Sequence, residues 1–348
     1  MSPGEKHDIA GVRRASLADF GGIYALLGQF NNKDLSKEDW KALFTHNWGE
    51  PDDASGYVLV NREKIVGFFG TIFKLREFHG VKRRMCNLTS WIVEPQFRGQ
   101  SLELLYRILE HSDATITCLT ASEIAGKIYQ AKGFKILDSG TAIIPVMPGW
   151  LNKLKGGASR KGLEAVTGGI EGFLTDGEKE LHKEHKPYGC RHLVIRHGAD
   201  NCYLIATTVK AQWLKLGYVH YIGNHGLLRD SFTQAARLLA DRLKVNALMI
   251  DLRMLRDLPV KLRFTYPREK FFRPVGIEGR DVDNLYSEMI LLRHGFFEDL
   301  PHVIRTMYLK DKPLYLAMEK AYLRLRRAAG RVLRALRGPR LKQNMAAS

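Results

Sequence analysis

The chain has 348 residues, 45% of them hydrophobic and 26% charged, and 54 Lys and Arg against 37 Asp and Glu give a net charge of +17. That length exceeds one ordinary core and suits two domains, and the composition excludes a disordered or fibrous protein. Residues 1–11 lack the apolar centre of a secretory signal, and no apolar run approaches the roughly 18 residues of a membrane-spanning helix, so a cytoplasmic protein is expected.

Val12–Ala15 reads as a short strand, and Ser16 as the N-cap of a helix reaching Phe30, with Asp19 in its first turn where the helix dipole favours a carboxylate. Gly56–Val60 and Ile65–Lys74 are apolar strands joined by the polar turn Asn61–Lys64, a hairpin pattern. Asn87–Val93 is a further strand. Ser101 opens a helix whose Leu104, Leu105, Ile108 and Leu109 recur on one face. A strand at Thr115–Thr120, a helix at Glu123–Lys132 and a strand from Phe134 complete the first half. The stretch 146–188, with Gly156-Gly157, Gly168-Gly169 and many lysines, predicts a connection, with room for a helix.

The second half predicts strands at His192–Arg196, Cys202–Val209 and Tyr218–Ile222, a helix at Arg229–Leu243, and strands at Ala247–Leu252 and Leu285–Leu292. Strand–strand–strand–helix–strand is the order of the first half, so a diverged duplication and an unrelated α/β domain both stand. Cys86, Cys118, Cys190 and Cys202 form no Cys-x-x-Cys pair, which points to reduced, buried thiols. His182 and His185, three apart in a lysine-rich stretch, read as exposed, and His192, His197, His220 and His225 as polar strand ends; no metal site is expected.

The chemistry concentrates in two segments. In Trp91-Ile92-Val93-Glu94-Pro95-Gln96-Phe97-Arg98-Gly99-Gln100-Ser101-Leu102 a strand meets a proline turn, an Arg-Gly loop and a helix start. A loop aiming successive backbone N–H groups outward at a helix N-terminus is an anion cradle suited to a pyrophosphate. Downstream lies Ser122-Glu123-Ile124-Ala125-Gly126-Lys127-Ile128-Tyr129-Gln130-Ala131-Lys132-Gly133-Phe134. Together they resemble the two coenzyme A motifs of the GNAT superfamily, Arg/Gln-x-x-Gly-x-Gly/Ala after Val-x-Pro, and Asn-x-x-Ala-x-x-x-Tyr-x-x-x-Gly-Phe. The likeness covers residues 9–145.

The resemblance implies an acyltransferase that moves an acyl group from acetyl-CoA or another acyl-CoA to an amine or hydroxyl by direct attack. It implies Tyr129 as the acid that protonates the departing thiolate, with Glu94 at the strand end as the available base. Ile92, Val93, Arg98, Gly99, Gln100, Ser101, Leu102 and Ser122 would hold the cofactor, and backbone N–H near Val93 would polarise the thioester. Glu288, read here on a strand, is a more distant candidate base. Ser101 and Glu103 stand where the family has glycine and Gly or Ala, and Ser122 where it has Asn. An N-cap serine and a first-turn acid explain Ser101 and Glu103 without coenzyme A, so an inactive acyl-CoA-binding module is one rival. The other is a Fem-type transferase using aminoacyl-tRNA, which suits the charge but not the coenzyme A loop.

The expected architecture is α/β (α+β), with tandem GNAT-like mixed sheets flanked by helices: a GNAT domain at 1–145, a connection at 146–188, a diverged GNAT-like domain at 189–310, and a tail at 311–348. Leu314–Leu336 carries an apolar stripe with Arg324, Arg327, Arg331 and Arg334 between, a basic amphipathic helix. It would pack on the second domain or dock peripherally on an anionic membrane, the inner face if the protein is bacterial. The acceptor is unidentified, with a sugar or sugar-lipid as one option; nucleic acid is not expected as a partner.

Overall fold

The computed structural model describes residues 11–32, 35–146, 162–211, 214–256, 258–260 and 262–292. The basic stretch 314–336 lies outside them. The chain divides into a unit at Met1–Glu298 and a second at Asp299–Ser348; the description below concerns the first.

Strand β1 is Gly11–Arg14, followed by helices α1 (Phe20–Leu27) and α2 (Lys37–Thr45). Ser16 stands at the N-cap as expected, and Asp19, placed there for the helix dipole, also accepts from the Ser16 backbone N–H at 2.8 Å, although a 3-10 turn intervenes before α1. Helix α2 escaped the sequence reading; its start is marked by a capping box of Ser36 and Asp39, and it buries only Trp40 and Leu43 fully. Then come β2 (Gly56–Asn61), β3 (Lys64–Phe78) and β4 (Val81–Val93), the last two longer than predicted. Their outer ends are polar, so hydropathy did not extend them. Helix α3 (Ser101–Leu109), β5 (Ala114–Cys118), α4 (Glu123–Ala131), β6 (Lys135–Asp138) and β7 (Thr141–Pro145) follow.

The second half contains β8 (Leu163–Val166), α5 (Asp176–His185), β9 (Arg191–His197), β10 (Asp200–Ala211) and β11 (Leu214–Ile222). Helix α6 (His225–Leu243) is broken at Ser231, whose hydroxyl donates to the Leu227 carbonyl. Strand β12 (Ala247–Asp251), α7 (Leu252–Leu255), β13 (Phe264–Tyr266), β14 (Lys270–Arg273) and α8 (Glu288–Leu291) complete it. The predicted strand at Leu285–Leu292 is therefore a turn and a short helix. Its residues are all buried, Ser287 and Glu288 along with the apolar ones, so the segment has no exposed face and periodicity cannot assign it to strand or helix.

Two seven-stranded mixed sheets result, ordered β1-β2-β3-β4-β5-β14-β6 and β13-β7-β12-β11-β10-β9-β8. Each has one parallel pair, β4/β5 crossed by α3 and β11/β12 crossed by α6; every other pairing is antiparallel. Strand β7 leaves the first sheet to pair with β12 and β13, while β14 leaves the second to pair with β5 and β6. A strand is thus exchanged in each direction.

A buried polar network fastens this exchange. Lys270 at the start of β14 and Asp251 at the end of β12 form an ion pair, and Asp251 also accepts from Tyr218, Thr141, Arg253 and Asn284. Arg253 reaches on to Asp138 at the end of β6, 3.1 Å away. Each carboxylate is thereby paired and hydrogen-bonded, the condition under which charges are tolerated in an interior.

Candidate functional site

Strands β4 and β5 pair in parallel only from Arg84↔Ala114 to Asn87↔Thr117. Beyond Asn87, β4 keeps its bonds to β3 on one side alone, so alternate backbone groups of residues 88–93 face the gap left by β5. At Ser90 the backbone turns to φ +56°, and the register against β3 slips between Phe68 and Gly70, the signature of a bulge that bends the strand away. A cavity of about 510 Å³ fills the opening.

Its walls come from both faces of the sheet. Trp91 stacks on Phe69 at 4.6 Å and stands 6.0 Å from the ring of Tyr129. On the other face are Ile92, Trp40 and Phe30, the last two stacked at 6.1 Å. Arg98 and Ser101, where β4 leads into α3, and Ser122 and Ile124 at the start of α4 line one end.

Helix α4 places Tyr129 for definite local reasons. The Ser122 hydroxyl accepts from the Ala125 N–H at 3.2 Å and caps the helix. Gly126 lets the ring of Phe271 on β14 approach; a Cβ there would stand 2.7 Å from it. Gly133, at φ +82°, then reverses the chain so that buried Phe134 packs on Tyr129. Tyr129 is 1% exposed and meets Cys118, and burial holds its phenol well above its ordinary range, so it stays protonated at neutral pH. Burial likewise pushes the Cys118 thiol up to about 12.

Of the residues assigned to the cofactor from sequence, Ile92, Val93, Arg98, Ser101 and Ser122 line the cavity, as does Tyr129. Gly99, Gln100 and Leu102 lie beside it without lining it. Residues Pro95–Gln100 are wound into a 3-10 turn rather than an open loop, and the N–H groups of Phe97 and Ser101 are spent on the Glu94 and Arg98 carbonyls. Arg98 and Gly99 are exposed, and Glu103 turns outward on α3. Glu94 is 2.7 Å from Lys64 and accepts from Gln96; it does not line the cavity.

Glu288 is not on a strand. It opens α8, 1% exposed, and accepts from Thr120 at 2.6 Å and from Asn87, both at the edge of the opening. Thr120, which lines the cavity, had no sequence signal. The histidines also depart from expectation. His185 is fully buried and His182 lies 4.6 Å from His192 because α5 packs its last turn into the core, while His220 is buried within β11, where its Nε2 meets the Thr207 hydroxyl. Among the described residues no three His, Cys, Asp or Glu are grouped to hold a metal ion, and no helix is long and apolar enough to cross a membrane. All four cysteines are buried and free.

No family model and no curated protein matches the chain. Among solved structures it is similar to a conserved protein from Enterococcus faecalis described as a probable N-acyltransferase, with TM-score 0.51 and 13% identity over 76% of this chain and 72% of that one. It is also similar to a GCN5-related N-acetyltransferase from Anabaena variabilis, with TM-score 0.50 and 13% identity over the same shares.

Proposed function

We infer that this chain, whose fold is that of the GNAT superfamily, is an acyltransferase that moves an acyl group from acyl-CoA to an amine or hydroxyl. The observation that carries the reading is the splayed β4/β5 pair, with a cavity running from Arg98 and Ser101 to Tyr129. Arg98, Gly99, Gln100, Ser101 and Leu102 would receive the pyrophosphate, and Ile92, Val93 and Ser122 the rest of the cofactor arm. Backbone N–H of β4 would polarise the thioester carbonyl while the acceptor attacks it. Tyr129, neutral and hydrogen-bearing, would protonate the leaving sulfur.

Glu94 is a poor base because its carboxylate is already paired with Lys64 outside the cavity. The matching connection order of the two sheets supports a diverged duplication whose copies exchange β7 and β14; the second copy begins at β8 (Leu163–Val166), inside the stretch expected to be a connection, rather than at 189. In the second copy the corresponding end of β12 is closed by Asp251, Arg253 and Asn284, so one cofactor site per chain is proposed. A second reading, a binding module without turnover, rests on Ser101 and Glu103; the 3-10 turn at Pro95–Gln100, which consumes N–H groups a pyrophosphate would use, weighs against acyl-CoA binding of either kind.

Calorimetry with acetyl-CoA and longer acyl-CoAs, followed by thiol release in the presence of amine acceptors, tests both. Binding with turnover is expected. Binding without turnover favours the module, and no binding ends the acyl-CoA reading.

A further inference from the structure

We propose that Glu288 is the proton sink of the transfer and acts through the hydroxyl of Thr120, an inference that rests on the acyltransferase reading. One carboxylate oxygen of Glu288 accepts from Thr120 Oγ1 at 2.6 Å, and the other accepts from Asn87 Nδ2. Asn87 Oδ1 in turn accepts from Thr117 Oγ1 at 3.2 Å. Asn87 and Thr117 are the last paired residues before β4 and β5 part, so the carboxylate sits where the cleft opens. Thr120 lines the cavity and Glu288 lies behind it. A substrate in the cleft therefore meets the threonine, with the carboxylate one hydrogen bond away.

Burying a carboxylate is costly, and a residue needed only to hold Asn87 or Thr120 would not have to be charged. Burial raises the affinity of Glu288 for a proton above that of an ordinary glutamate, against the weaker opposing effects of the Thr120 and Asn87 hydrogen bonds and of Lys270. That is the direction a base working near neutral pH requires. The titratable groups facing it are Tyr129 on α4, Cys118 on β5 and Lys270 on β14. Helix α2 packs against α8 with buried Trp40 and Leu43, while Lys37, Glu38 and Lys41 are exposed and Asp39 caps Ser36.

In the transfer, a bond forms between the acceptor nitrogen and the thioester carbon as the carbon–sulfur bond breaks. The proton lost by nitrogen passes to Thr120 Oγ1 while the threonine passes its own to Glu288. Tyr129 gives its proton to sulfur. Exchange between protonated Glu288 and the Tyr129 phenolate restores both groups, and one proton has moved from nitrogen to sulfur.

The test compares Glu288→Gln, Thr120→Val and Thr120→Ser with the wild type. Acetyl-CoA affinity is measured by calorimetry, and thiol release from acetyl-CoA is followed across pH with phenethylamine, spermidine and glucosamine as acceptors. Glu288→Gln should bind acetyl-CoA like the wild type, lose roughly 10²-fold in turnover, and lose the acidic limb of kcat/KM. Thr120→Val should reproduce that loss, and Thr120→Ser should restore both rate and limb. If Glu288→Gln does not fold, the threonine pair decides. Unchanged turnover and an unchanged acidic limb in Glu288→Gln or Thr120→Val, with acetyl-CoA still bound, would overturn the relay alone. A wild type that does not bind acetyl-CoA would overturn the relay and the acyltransferase reading together.

Discussion

Tyr129 and Gly99 are residues at which one atom group can be changed without disturbing the rest. Tyr129→Phe keeps the ring among Trp91, Phe134 and Phe271 and removes only the hydroxyl that meets Cys118. Turnover should fall by roughly 10²-fold while the melting temperature moves little. Full activity in the variant would leave Tyr129 as a core aromatic. Gly99 has an ordinary backbone conformation, and a Cβ built on it meets nothing within 4 Å. Gly99→Asp should therefore fold normally and yet bind acyl-CoA more weakly, because it sets a carboxylate beside the proposed pyrophosphate site. Equal affinities by calorimetry would remove this turn from the site.

The element most exposed to single changes is β14, which belongs to the second half of the chain but completes the first sheet. It is held by Lys270 on Asp251 and by Phe271 against Gly126. Asp251→Asn leaves Lys270 and Arg253 facing a neutral amide in a fully buried site. The expected loss is about 3–5 kcal/mol, the usual consequence of removing one partner of a buried pair, and denaturant unfolding would measure it. A loss below about 1 kcal/mol would mean that Asp138 and water satisfy the cations unaided. Gly126→Ala should cost about 1–3 kcal/mol through overpacking on Phe271 and should perturb Tyr129 on the same helix.

Across the whole molecule, acid should act through histidines buried without charge. Desolvation lowers His46 and His185 to about 4, and His192 and His220 to about 3. An unfolded histidine binds its proton near pH 6.5, so between there and about 4 the unfolded chain holds more protons than the folded one. Their contribution is complete above about pH 6.5 and is lost as pH falls to about 4 for His46 and His185 and to about 3 for His192 and His220. The melting temperature should drop between pH 7 and 5, and less steeply in His185→Phe. A flat profile over that range would contradict neutral burial of these rings.

The sequence by itself determined most of the first sheet and pointed to the place of the proposed site. Local periodicity set β2, α3, β5 and α4, and the two motifs pointed to Arg98 and Tyr129, because a helix start after a strand is written in neighbouring residues. A side-chain cap is made by Ser122 on α4, whereas Ser101, read from the sequence as an N-cap, is the first helical residue of α3. The four cysteines followed from composition in the same way. Tertiary structure alone decided the exchange of β7 and β14, since strand pairing depends on partners some 130 residues distant in sequence (Ile136 with Phe271, for instance) and leaves no local periodicity. It also decided which carboxylate stands behind the cleft. Glu94 is near the motif in sequence but is drawn off by Lys64, whereas Glu288 reaches Asn87 and Thr120 only because α8 packs behind the point where β4 and β5 part. The same holds for His185 and His220, whose burial is set by neighbours contributed from other segments and cannot be read from the residues beside them.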